Sequence, residues 1–237
     1  INHTTLSNIG TTTHAQIDTF ISNATATLTD GWWTRSETWT RKSNTTFTLS
    51  GDLTAVFVPG AKIKVTQTST KYFYVVSSSY SSPNTTVTIT GGSDYSLTAS
   101  PTERWISYVA NPQGFPGWFA YSPTPTGFSS VPETVAYRFA IVGRVVTLVV
   151  AQKTNGTSNA TDLTVPLPVT AATVGTTGAT WTGTNGFAVD NGTGLTVASR
   201  WVINSGGTTI DFYTNMAMGA WTNANGKRVY CVATYEI

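Results

Sequence analysis

The sequence is poor in charge. Asp, Glu, Lys and Arg together make up 10 % of its 237 residues, against roughly 25 % in an ordinary globular protein. The formal net charge is only +2. That leaves no basic footprint for nucleic acid, and no nucleic-acid partner is expected. Arg35, Arg41, Lys42, Lys62 and Lys64 form the one local basic cluster, which reads as solvated strand edges. Cysteine is nearly absent too. Cys231 stands alone, so an intrachain disulfide is excluded. It lies in the apolar pattern VYCVATY and reads as a small core residue. Histidine is limited to His3 and His14, both in the polar opening segment. A Ser-His-Asp or Cys-His arrangement would need one of them to reach across to a folded domain. A two-histidine metal site is conceivable only between chains. We therefore expect no catalytic residue, no metal and no other cofactor. No window approaches the ~20 apolar residues of a membrane span, and no membrane insertion is expected. The Gly-rich stretches lack the strand–loop–helix context of a nucleotide-binding loop and read as turns.

Thr, Ser, Asn and Gly take the place of the missing charge. β-Branched Thr on a polar, uncharged surface favours strands over helices. Aromatic residues reach 12 %, with eight Trp, which supplies candidates for cores, interfaces and ligand contacts.

One helix is expected, in THAQIDTFISNA. Thr13 can cap it, and Ile17, Phe20, Ile21 and Ala24 recur at spacings of three and four to form one apolar stripe. Three turns are marginal for an isolated helix, so the stripe must pack on something. From Trp32 onward the pattern is β. TTFTLS alternates, Pro59-Gly60 makes a turn before Ile63 and Val65, KYFYVVSS is a strong strand, and TTVTIT puts Val87 and Ile89 on one face. Short strands divided by turns predict a small barrel or sandwich over 32–121. The segment to residue 134 is rich in Pro and Gly, and we read 122–134 as a linker. Phe115, Trp118 and Phe119 anchor its start on the first unit. The remainder, 135–237, predicts an antiparallel sandwich, with a hairpin at Gly143 and turns at NGTG, NSGG and NANG. The fold class is thus all-β with a short N-terminal helix, in two β units behind a connector at 1–31.

VVTLVVA, residues 145–151, is nearly apolar on both faces, and so is VYCVA at 229–233. A strand in an ordinary two-layer sandwich should show one polar face. We take the second cover to be another copy of the chain, with Val146 and Leu148 in the contact.

The opening HTTLSNIGTTTHAQIDTFI resembles a segment of tailed-phage fibre and baseplate-associated proteins, of the form LxNIGTxTHxQID. PGAKIKVTQ, KYFYVVSSSYSSPNTTVTITGGSDYSL and NPQGFPGWF resemble a second phage-associated pattern over residues 53–119, and the C-terminal part resembles a fibre-tip sandwich in general character. The resemblance implies a homotrimer on the outside of a virion, assembled in the host cytoplasm, joined to other phage structural proteins through its N-terminus and attached to a host-surface ligand. Ile17, Phe20 and Ile21 would then meet their own copies around a threefold axis. A capsid-associated decoration or head-fibre protein is the alternative. A polysaccharide depolymerase spike is the third reading, although Asp190 opens the turn DNGTG, where Asp is expected for local hydrogen bonding. For a glycan the sequence offers Trp181 in ATWTGTNG and Trp221 in AWTNANG, the latter beside Asn223 and Asn225. Trp201 and Tyr213 sit in strand patterns and read as core or inter-subunit residues.

Overall fold

The computed structural model describes residues 15–19, 21, 30–175 and 179–237. Residues 15–19 and 21 are helical, as the spacing of Ile17 and Ile21 predicts. Thr13, Phe20, Ala24 and both histidines lie outside the described residues. Ile17 and Ile21 are 43 % and 55 % exposed, so their stripe is uncovered within the single chain.

From residue 31 on, the described residues form β-structure and irregular connections. The first unit holds β1 (Trp33–Thr34), β2 (Thr40–Arg41), β3 (Thr46–Ser50), β4 (Lys62–Thr66), β5 (Thr70–Ser81), β6 (Asn84–Thr90) and β7 (Glu103–Ser107). They pair antiparallel in the order β1-β7-β4-β5-β6-β3-β2. The alternating residues fall as the period of two requires, with Phe47, Ile63, Val65, Val87 and Ile89 all buried in one core. Trp39 stacks on Phe47 with ring centroids 4.4 Å apart, and Phe57 meets Trp39 edge-on at 5.3 Å.

The expected solvated basic cluster is not what forms at Lys62 and Lys64. Lys62 is buried and its Nζ donates to the Val109 carbonyl at 3.0 Å. The Lys64 ammonium sits between the Trp32 and Trp105 rings, 4.8 and 4.5 Å from their centroids. Their methylene stems cover aromatic surface, and the rings face the charge with their negative side. This clamps the segments around Trp32 and Val109 onto the β4 face.

The second unit is a sandwich. Its larger sheet runs β16 (Thr193–Gly194), β15 (Phe187–Asp190), β19 (Gly226–Glu236), β11 (Val145–Gln152), β10 (Thr134–Val142) and β8 (Phe119–Ala120). At its margin β12 (Gly156–Ser158) joins β19 to β9 (Phe128–Ser130). The smaller sheet has the order β13 (Thr164–Pro166), β18 (Thr209–Tyr213), β17 (Arg200–Asn204), β14 (Ala179–Thr184). Between the sheets lie Val146, Leu148 and Val150 of β11, Val229, Cys231, Ala233 and Tyr235 of β19, and Trp201, Ile203, Ile210 and Phe212 opposite them.

The residues assigned to an inter-subunit contact are therefore one step out of phase. Val146 and Leu148 are fully buried in the chain's own core. Val145, Thr147, Val149 and Ala151 form the outer face of β11. Val149 is also buried, flanked in register by Arg138 on one neighbouring strand and Val232 on the other. On the same face Val145 and Val232 are 42 % and 51 % exposed.

The stretch expected to be a linker is also part of the fold. β9 pairs with β12, Thr126 bridges Thr164, and Thr134 opens β10. The two units then share an aromatic cluster. Tyr74 of β5 packs edge-on against Phe115 and Phe119, and Phe119 lies against Phe139. Backbones meet at this joint. A Cβ on Gly60 would fall 1.9 Å from the Gly143 carbonyl oxygen, and one on Gly92 would fall 2.0 Å from that of Ala120.

Candidate functional site

The two tryptophans proposed for a ligand do not form a site together. Trp221 is 2 % exposed. Its indole donates to the Phe212 carbonyl at 2.7 Å, and its backbone N–H donates to Thr161 O. Trp181 is not in a turn. It lies in β14 opposite Ile203, on the inward side, with its ring 6.4 Å from that of Tyr235. Asn223 and Asn225 are exposed on the loop that precedes β19. Trp201 is a core residue, as expected.

A different surface does present rings. Phe187 of β15 and Tyr230 of β19 are paired in register, so both project from the outer face of the larger sheet. They are 46 % and 45 % exposed. Gly186 keeps Tyr230 open, since a Cβ there would come 3.2 Å from the Tyr230 ring. Val232, two residues further along β19, continues the face and is 51 % exposed. In the other direction comes Arg228, opposite Val189. Its guanidinium lies over the Phe187 ring at 5.1 Å and donates through Nη1 to the Lys153 carbonyl, which fixes its plane.

Beyond Arg228 the strand ends at a cluster of amides. Asn191 and Asn225 both adopt the left-handed backbone, with φ of 50° and 51°. Asn tolerates that conformation better than most residues, which explains the NG turn pairs in the sequence. The Asn225 side-chain amide donates to Asn191 Oδ1 at 2.5 Å, and Gly192 N–H donates to Gly226 O. Asn155 closes the group, since a Cβ on Gly226 would meet its side chain at 2.5 Å. The Asp190 carboxylate is used elsewhere. It accepts the backbone N–H and the hydroxyl of Thr222, a tie across two loops rather than the local bond expected of a turn residue.

This gives a graded strip, from rings through one cation to neutral amides. Rings can cover the apolar C–H face of a sugar, while amides and a guanidinium address its hydroxyls. Sequence reasoning missed Phe187 and Tyr230 because each alternates with core residues in a strand. The usable signal was the failure of VYCVA to alternate cleanly.

Two of the other hollows lack that combination. A cleft of about 530 Å³ runs between the units, walled by Thr88 and Thr90 of β6 and by Leu167 and Val169, with no charged residue in its lining. A smaller one of about 240 Å³ holds Asp162 and Asp211 beside Tyr213. Burial pushes the Asp211 carboxyl above its ordinary pKa, the Asp162 charge adds to this, and a hydrogen bond from Thr209 opposes it. Cys231 is buried and its thiol is pushed up to about 12 by that burial, which makes it a poor nucleophile. Among the described residues no group of three or more His, Cys, Asp or Glu could hold a metal ion, and no helix is long and apolar enough to cross a membrane.

A scan against protein-family models, a search of curated proteins and a search of solved structures each returned no match for this chain.

Proposed function

We propose that this chain is a non-enzymatic attachment subunit of an external virion fibre, in the manner of the tailed-phage proteins that its opening segment resembles. Copies join as a homotrimer through the N-terminal helix, and the β-structured body projects from that neck to bind a glycan on the host surface. One observation carries the reading. Ile17 and Ile21 occupy one helical stripe and stand 43 % and 55 % exposed in the single chain. Such a stripe needs a partner, and copies of itself around an axis supply one. The low charge, the Thr- and Asn-rich surface and the two interlocked β cores suit a body that works outside the cell. The strip from Tyr230 to Asn225 offers the glycan a surface of matching chemistry.

Light scattering on the purified chain is expected to give the mass of three protomers. Ile17→Asp and Ile21→Asp would place an unpaired charge in the seam, at a cost of several kcal/mol to the assembly, and are expected to shift the mass toward the monomer without unfolding the β body. A monomeric parent chain at micromolar concentration overturns the trimer. Failure of the purified chain to bind any glycan on an array, or to adsorb to host cells, overturns the attachment role.

A further inference from the structure

Within that glycan-binding reading, on which this inference rests, we propose that the strip Phe187–Tyr230–Arg228–Asn225 is a subsite for an anionic saccharide, a pyranose that carries an oxyanion.

The argument starts from Arg228. Among the described residues the ion pairs are Arg35–Glu37 and Lys153–Glu133, and neither involves Arg228. Its Nη1 is held by a neutral carbonyl and its Nε is buried, which leaves Nη2 as the nitrogen open to a ligand. The nearest acid along β15 is Asp190. It points to the opposite face of the strand and is already bonded to Thr222. A guanidinium that is fixed in plane, stacked on a ring and outside any ion pair is set up to receive a planar or tetrahedral oxyanion at its Nη2 edge.

Its surroundings then choose the rest of the ligand. Tyr230 is the next outward residue along β19, and Phe187 stands beside Tyr230 on the neighbouring strand. The Phe187 ring therefore lies 5.1 Å from the cation, and Tyr230 follows about 7 Å along the strand, by the rise of two residues. Past Arg228, at the turn where β19 begins, stand the linked amides of Asn191 and Asn225. From Tyr230 to Gly226, where β19 begins, the strip is about 13 Å long by the same rise, which matches two or three linked sugar rings. A wholly apolar ligand would leave Arg228 and the amides unmatched. A free inorganic anion would leave the rings unused. A sugar with an attached carboxylate or phosphate uses all three.

The test is calorimetric titration of the full chain with three probes: trigalacturonate for a carboxylate, glucose 6-phosphate for a phosphate, and neutral maltotriose. At least one anionic probe is expected to bind, at least about tenfold more tightly than maltotriose, with affinity falling as salt rises. Whichever probe wins identifies the oxyanion. Arg228→Gln and Tyr230→Ala are each expected to lower its affinity about tenfold or more, with melting temperature and oligomeric mass unchanged. Phe187→Ala, which leaves the guanidinium in place, serves as a second variant if Arg228→Gln melts early. Equal binding of maltotriose, or full anion affinity in Arg228→Gln, overturns the inference. So does a change of mass in Tyr230→Ala, which would make the strip a contact between copies. If the chain binds neutral glycans elsewhere and neither anion, this subsite is wrong and the attachment reading survives. Binding of no saccharide at all removes both.

Discussion

Single buried polar groups decide local stability in a chain with so few charges. Lys227 is fully buried, and its ammonium donates to the carbonyls of Ala160 at 2.8 Å and Asp162 at 2.6 Å while lying 5.4 Å from the Phe128 ring centroid. It ties the loop before β13 to the start of β19. Lys227→Met keeps much of the stem but strands two carbonyls. A loss of about 1–3 kcal/mol in denaturant unfolding is expected, and an unchanged midpoint would mean that water replaces the ammonium. Asp211 works the other way. Its folded-state pKa lies above the unfolded value because burial disfavours the charge. Between those two values the folded chain holds a proton that the unfolded chain has released, so stability falls as pH rises through that window and then levels off. Asp211→Asn removes the penalty, and its amide oxygen can still accept from Thr209. The variant is expected to melt higher than the parent at neutral pH, and the gap should close below the ordinary carboxylate pKa. Equal melting at neutral pH would show that solvent already relieves the carboxylate.

At the scale of elements, phase matters more than composition. β11 and β19 were legible as strands, and so was the absence of a polar face on each. Which residues face which way was not legible, because a run apolar on both sides carries no alternation to set its register. The structure sets it through partners, with Leu148 opposite Phe139 and Ala233 in one core. Leu148→Ala is therefore expected to destabilise the single chain by about 2–5 kcal/mol, visible as a lower unfolding midpoint. A variant that lost trimer mass but kept that midpoint would restore Leu148 to a subunit contact. Turn chemistry was the most readable layer. The turns at Gly143, at Asn191 and at Asn225 stand where their Gly and Asn residues place them, each with positive φ. Trp221 was the least readable. It sits among small polar residues, and only bonds to Thr161 and Phe212 on other segments draw it under the sandwich. The same holds for Lys62 and Lys64, whose aromatic covers come from residues 32, 105 and 115. Short windows of sequence do not contain such neighbours.

On the scale of the whole molecule, the two β units are joined by close backbone contacts as well as by the aromatic cluster. Gly60 and Gly92 admit the carbonyls of Gly143 and Ala120 at distances no side chain would allow, and both glycines have positive φ. Gly60→Ala is expected to force the units apart, costing more than the ~1 kcal/mol of backbone strain alone. Calorimetry should then resolve two transitions in place of the one expected of the parent. A single, merely lowered transition would locate the coupling in the Tyr74–Phe119–Phe139 cluster instead. The strand order has a further consequence, in time rather than in energy. β11 is completed at Gln152, yet its partner on the other side, β19, begins only at Gly226. At roughly 5–20 residues per second, a ribosome needs about 4–15 s to make the intervening stretch. Throughout that interval the hairpin of β10 and β11 exposes an apolar edge with no strand to close it. Newly made chains on neighbouring ribosomes carry the same open edge. The yield of folded protein should therefore depend on how quickly the last strand arrives and on whether a chaperone shields β11 until it does.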